Sequence, residues 1–176
     1  QAKERGMDVV AGYIEPHGRP QTTALLCGLE QIPTKQIQQD GIILREFDID
    51  AALKRRPQII LVDEFAHTNA EGSRLAKRYQ DVEELLNAGI NVYTTVNVQH
   101  IESLNDMVAS ITGTMVKERI PDSVFDQANQ VELVDIEPEE LLERMARESV
   151  SQREQAECVA ENLTPLREVA LRRCAD

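Results

Sequence analysis

Short aliphatic runs alternate along the chain with longer amphipathic stretches. The sharpest run is Ile59-Ile60-Leu61-Val62, set between Pro57-Gln58 and Asp63. Four consecutive aliphatics are too few for a helix and suit a strand buried on both faces, as in a parallel sheet flanked by helices. Asp8 to Ile14 reads as an earlier strand, and Ile42-Ile43-Leu44 begins a second strand or extended piece ending near Phe47. Ile90 to Val98, dense in β-branched residues, is a further strand. Met115 to Ile120 and Val131 to Ile136 are shorter candidates. Between the strands the apolar period becomes helical. Helices are predicted over 21–30 (Leu25, Leu26 and Leu29 inward), 48–56 (Asp48 as N-cap), 73–88, 101–111 (Leu104 and Val108 inward, Gly113 as the stop) and 138–147. The 73–88 helix carries Leu75, Tyr79, Val82 and Leu86 as its stripe, and Pro138 with Glu139 and Glu140 opens the 138–147 helix. Thr164-Pro165 predicts the start of a last helix striped by Leu166, Val169, Ala170 and Cys174. Strands alternating with helices imply βαβ units. The predicted fold class is therefore α/β, a three-layer parallel sheet flanked by helices, with residues 1–147 as one domain and 148–176 as a helical tail leading onward.

Composition narrows the function. The 176 residues carry 31 acids against 19 bases, a net charge of −12, which argues against a nucleic-acid surface and against an anionic membrane face. Hydrophobic residues make up 41% of the chain, and aromatics only 3%, so aliphatics must fill the core. Cys27, Cys158 and Cys174 are scattered without a paired spacing, which reads as reduced thiols in a cytosolic setting. No apolar run approaches the ~20 residues of a membrane span.

The candidate chemistry lies where strands end. The central strand stops at two adjacent carboxylates, Asp63 and Glu64. Burying bare carboxylates is costly, so they should emerge at the strand's carboxyl end, where open α/β sheets bind ligands. An aliphatic strand ending in Asp-Glu is the Walker B pattern, in which the Asp holds Mg²⁺ and the Glu orients a water. A strand that merely ends in polar residues fits the same letters. Two other strand exits are polar, Glu15 to Arg19 and Asn97 to His100, and parallel strands would put all three exits on one edge. Asp63 is then the metal-bound acid, through water, and Glu64 the catalytic candidate. Gln99 or His100 would sense a terminal phosphate, and Arg19 would touch a phosphate or a partner. Plainer readings stand beside these: His67-Thr68-Asn69 bracing a loop, His100 capping the helix that follows it, Arg19 as a surface cation, and Lys77 with Asp81 as a solvated pair. No GxxxxGK[ST] phosphate loop occurs in the sequence. Gln1 to Gly6 reads as the tail of a helix, so the loop is expected upstream of Gln1.

Several blocks together resemble a known family. They are Tyr13-Ile14-Glu15-Pro16-His17-Gly18-Arg19-Pro20, Leu61-Val62-Asp63-Glu64-Phe65-Ala66-His67-Thr68-Asn69, Lys77-Arg78-Tyr79-Gln80-Asp81-Val82-Glu83-Glu84-Leu85-Leu86 and Thr94-Thr95-Val96-Asn97-Val98-Gln99-His100-Ile101-Glu102-Ser103-Leu104-Asn105. They are similar to the N-terminal cytoplasmic domain of the KdpD sensor histidine kinases, across roughly Gly6 to Arg147 and again from Asn162 to Asp176. Leu75-Ala76 and Tyr79 depart from the family's usual His-Pro and Trp. The resemblance implies a P-loop NTPase-like regulatory domain that binds ATP and Mg²⁺, with Asp63 and Glu64 as the Walker B acids. It also implies a cytoplasmic domain of an inner-membrane protein, which acts with the other domains of the kinase and, through them, with a response regulator in the control of potassium uptake. The kinase core is not in this chain, which would at most bind or slowly hydrolyse ATP.

Overall fold

A computed structural model describes residues 2–135, 140 and 153–175. The chain divides into two compact units, 1–96 and 97–176.

The first unit is built on a four-stranded parallel sheet. In chain order it has β1 (Val9–Tyr13), α1 (Pro20–Leu25), β2 (Glu30–Gln31), β3 (Lys35–Gln39), β4 (Ile42–Glu46), α2 (Ile49–Arg55), β5 (Ile59–Val62), α3 (Arg78–Asn87) and β6 (Asn91–Thr94). The sheet order is β2-β1-β5-β6, with β1 and β6 each running parallel to β5. The expected central strand is therefore central, and Ile59, Ile60 and Val62 are buried. Beside it, a Cβ at Gly12 would stand 2.7 Å from Ile60 Cδ1 and 2.8 Å from Phe47 Cε2, so any side chain there would force these core residues to shift. The helix predicted over 48–56 is α2, capped as expected by Asp48, whose Oδ1 accepts from the Ala51 amide at 2.9 Å. Arg56 closes it in the left-handed conformation.

Four expectations in this unit need correction. The Ile42 strand joins no parallel sheet; it pairs antiparallel with β3 in a separate hairpin, turned by Asp40-Gly41, both at positive φ. A left-handed pair of this kind is what a tight hairpin turn requires. The helix predicted over 21–30 ends at Leu25, which is 80% exposed, and Glu30-Gln31 forms β2 instead. The helix predicted from Ser73 starts at Arg78 and buries Arg78, Asp81, Val82 and Leu85, while Leu86 is exposed. Its inward face is thus rotated from the apolar stripe, because charged residues occupy part of the buried side. Finally, β6 is shorter than its β-branched sequence predicts, and Tyr93 on it is 61% exposed. Among the described residues β6 has a strand neighbour on one side only.

The second unit holds a 3₁₀ turn (Val98–His100), α4 (Glu102–Thr112), α5 (Asp122–Phe125) and α6 (Arg153–Ala175). Gly113 ends α4 at φ 71, as its place after the apolar period predicts. Ile101 and Ile120 form a single parallel bridge, so Met115 to Ile120 is a returning loop and no strand. Residues 131–135 are irregular, where a fifth strand was expected. Thr164-Pro165 does not start the last helix, since Pro165 lies inside α6. An interior proline forfeits one helical hydrogen bond. Packing of α6 on α4, with Val169 buried, accompanies the continuation through it. Apart from Glu140, which is helical, the helix predicted over 138–147 lies outside the described residues. No described helix is long and apolar enough to cross a membrane.

Candidate functional site

At the carboxyl end of β5 the ladder carries one residue past the strand: the Asp63 amide donates to the Tyr13 carbonyl at 2.9 Å. The chain then turns sharply. Glu64 adopts φ 57, a left-handed conformation that costs a residue with a Cβ on the order of 1 kcal/mol. Its amide donates to Asp63 Oδ1 at 3.0 Å and to Thr95 Oγ1 at 3.3 Å, and the Phe65 amide donates to the Thr95 carbonyl at 2.9 Å. The neighbouring strand end therefore holds the bend in place.

Three strand exits converge on Asp63. From β1, the Glu15 amide donates to Asp63 Oδ2 at 3.2 Å. From β6, the Thr95 hydroxyl donates to Asp63 Oδ1. Glu15 is itself held, accepting from the Tyr13 hydroxyl at 3.2 Å and the His17 amide at 3.4 Å. The Glu64 carboxylate lies between the His17 imidazole, Nε2 at 3.5 Å from Oε1, and the Arg78 guanidinium, Nη1 at 3.6 Å from Oε2. The acid pair thus stands on the same rim as the outlets of β1 and β6, as parallel strands require. Thr95 was not singled out from sequence, although a hydroxyl at the end of a strand next to an acid-ending strand is a readable signal.

Behind the acids lies a buried charged network that the sequence reading missed. Arg78 is 0% exposed and Glu46 only 5%. Arg78 Nη2 donates to Glu46 Oε2 at 3.1 Å and Nη1 donates to the Asp63 carbonyl at 3.2 Å. The guanidinium carbon sits 4.0 Å from the centre of the Tyr13 ring, a cation–π contact. His67 Nε2 lies 3.0 and 3.1 Å from the two Glu46 oxygens. A carboxylate only accepts, so Nε2 carries the proton. Burial alone would raise the Glu46 carboxyl. The His67 hydrogen bond, the Ala70 amide at 3.0 Å and the Arg78 charge outweigh burial and hold it below the usual carboxylate range.

The excursion from Glu64 to Lys77 closes on itself. Thr68 and Lys77 form an antiparallel bridge, and the Asn69 amide donates to the Ala76 carbonyl at 2.9 Å. His67 and Asn69 do brace this loop, as one reading of them held. Lys77 and Asp81 are not a solvated pair. Lys77 Nζ donates to Thr68 Oγ1 at 2.6 Å, while Asp81, 3% exposed, accepts from Asn69 Nδ2 at 2.9 Å. Burial pushes the Asp81 carboxyl up to about 6.

The remaining expected site residues have local partners of their own. Arg19 is exposed at the N-cap of α1, its amide donating to the Pro16 carbonyl at 2.8 Å. Gln99 and His100 belong to the second unit. There the Gln99 carbonyl accepts from buried Asn105 at 3.0 Å, and His100 Nδ1 donates to the Glu118 carbonyl at 2.7 Å. His100 thus ties the returning loop to the 3₁₀ turn, and no side-chain cap to α4 is formed.

The oxygens at this point are hard: the Asp63 carboxylate, which accepts from the Glu15 and Glu64 amides and the Thr95 hydroxyl, and the Thr95 hydroxyl itself. That chemistry fits Mg²⁺, which keeps several waters and needs only one or two protein carboxylates. No cluster of three or more His, Cys, Asp or Glu able to enclose a metal occurs among the described residues.

Comparison with known proteins places this geometry in a family. The profile described as the osmosensitive K⁺ channel His kinase sensor domain matches residues 1–176. The sensor protein KdpD of Clostridium acetobutylicum is 59% identical over 180 residues, covering 99% of this chain and 20% of the relative. KdpD of Escherichia coli K12 is 52% identical over 180 residues, with the same shares covered. A putative sensor protein KdpD of Synechocystis is 48% identical over 182 residues, covering 100% of this chain and 49% of the relative. The chain thus spans about a fifth of the length of the first two relatives. With the profile matched from end to end and half or more of the residues shared with both of those sensors, the chain belongs to the KdpD family of sensor proteins and corresponds to its N-terminal sensor domain.

Proposed function

We propose that this chain is the regulatory nucleotide-binding part of a sensor histidine kinase that responds to potassium limitation and turgor, with a P-loop NTPase-like site at the exits of β1, β5 and β6. The observation that carries the reading is the convergence of Glu15 and Thr95 on Asp63, directly before a Glu held at φ 57. Strained non-glycine residues concentrate at functional sites, where the surrounding structure must hold them in place. Asp63 would hold Mg²⁺ through water, and Glu64, one residue on, would face the terminal phosphate. When bound, the ion would neutralise phosphate charge.

In this reading ATP orders the loops after β5 and β6, and that ordering is passed to the kinase domains and so to a response regulator. The domain would work on the cytoplasmic side of the inner membrane. Slow hydrolysis is a second reading, favoured by Glu64 itself, a carboxylate on a strained backbone directly after the metal-binding candidate. The test is Mg-ATP titration of the longer parent polypeptide. Asp63→Ala is expected to weaken binding at least about tenfold, roughly the loss of one charge-assisted contact. Unaltered affinity would remove Asp63 from the site. Phosphate release that is equal in wild type and Glu64→Gln would remove hydrolysis.

A further inference from the structure

Arg78 carries more than a packing role. A buried guanidinium is retained only where its charge and donors are met. Three contacts fix this one: Glu46 at 3.1 Å, the Asp63 carbonyl at 3.2 Å and the face of Tyr13 at 4.0 Å. Glu46 is fixed in turn by His67 and the Ala70 amide. The remaining ion-pair partner of Arg78 is Glu64 Oε2, at 3.6 Å, and that is the residue whose backbone is held at positive φ. His17, half-exposed and itself at φ 48, meets the other Glu64 oxygen from the solvent side.

We propose that Arg78 is the positioning residue for Glu64: a guanidinium locked from behind by Glu46 sets where the Glu64 carboxylate points at the rim of the sheet. What the carboxylate then does rests on the nucleotide reading above; the positioning does not. A lysine could not substitute. An ammonium is a point charge, whereas the planar fork reaches Glu46 with one arm and the Asp63 carbonyl and Glu64 with the other. A role confined to tying α3 to β4 would leave Glu64 indifferent to Glu46, which it does not itself touch in this network.

The experiment follows the Glu64 side-chain carboxyl carbon and the Arg78 guanidinium nitrogens by NMR in this chain. Wild type is compared with Glu64→Gln, Glu46→Gln, Arg78→Lys and the control Glu84→Gln, which removes a surface partner of Arg74. The Arg78 signals are expected to shift, and their bond rotation to quicken, in Glu64→Gln. The Glu64 signal is expected to shift in both Glu46→Gln and Arg78→Lys, and to stay in Glu84→Gln. Should Arg78→Lys fail to fold, Glu46→Gln, which keeps the arginine, decides. An Arg78 spectrum untouched by Glu64→Gln, or a Glu64 signal blind to Glu46→Gln, overturns the proposal. Failure of the nucleotide reading would show separately, as Mg-ATP affinity indifferent to Asp63→Ala in the parent polypeptide.

Discussion

Two arginines of the first unit make ion pairs of opposite character. Arg55 grips Asp8 and Glu30 with four hydrogen bonds of 2.7 to 2.9 Å, all near the surface. Arg78 makes longer contacts, 3.1 to 3.6 Å, and its Nε has no hydrogen-bond partner among the described residues, yet it is entirely buried. By geometry alone Arg55 has the better pairs. By energetics the order should reverse. Water and salt screen an exposed pair, and its removal leaves solvated groups behind. Removal of a buried partner strands a charge that has nowhere to go. Burial, more than bond length, decides what an ion pair is worth.

The largest effect should come from Arg78→Ala. It leaves Glu46 buried and opens a cavity beneath Tyr13, and a loss of about 3–5 kcal/mol in urea unfolding is expected. A loss comparable to that of Arg55→Ala would break the contrast. A smaller effect of opposite sign is expected at Asp81. Its carboxyl is raised by burial from 3.8 to about 6, so the folded protein holds that proton more tightly than the unfolded chain. The resulting penalty is absent below pH 4, grows as pH rises towards 6 and is constant above. Asp81→Asn keeps an acceptor for Asn69 and should stabilise the protein at pH 7 by on the order of 2 kcal/mol, with no gain below pH 4. Glu46 works the other way: its depressed carboxyl adds stability at neutral pH that is lost on acidification. Unfolding midpoints across pH 3–8 for wild type and Asp81→Asn separate the two. The smallest effect is expected at Arg55→Ala. Its midpoint should move little, and the shift should fade further as salt is raised, because the Asp8 and Glu30 carboxylates it leaves remain solvated.

Part of this site was legible residue by residue. Ile59 to Val62 announced a buried strand, and Asp63-Glu64 could only emerge at its end. Glu15 and Asp63 were expected on one edge, and the structure joins them by a hydrogen bond. Arg78, Asp81 and Glu46 were not legible. Arginine in a first helical turn and acids in an amphipathic pattern ordinarily face water. Leu86 counted towards the apolar stripe, but Leu85 holds the buried position.

The sequence by itself determined several local choices: that Ile59 to Val62 is a strand, where Asp48 starts a helix, where Gly113 stops one, and which acids surface beside one another. These depend on residue period, length and capping, all of which lie within a few residues of the position concerned. Tertiary structure alone decided that a glutamate at the end of β4 would meet an arginine 32 residues later, that Thr95 would support the bend at Glu64, and that α6 would run through Pro165. A polar side chain does not specify its partner by pattern. Only folding, by taking both groups out of water together, makes one partner necessary to the other.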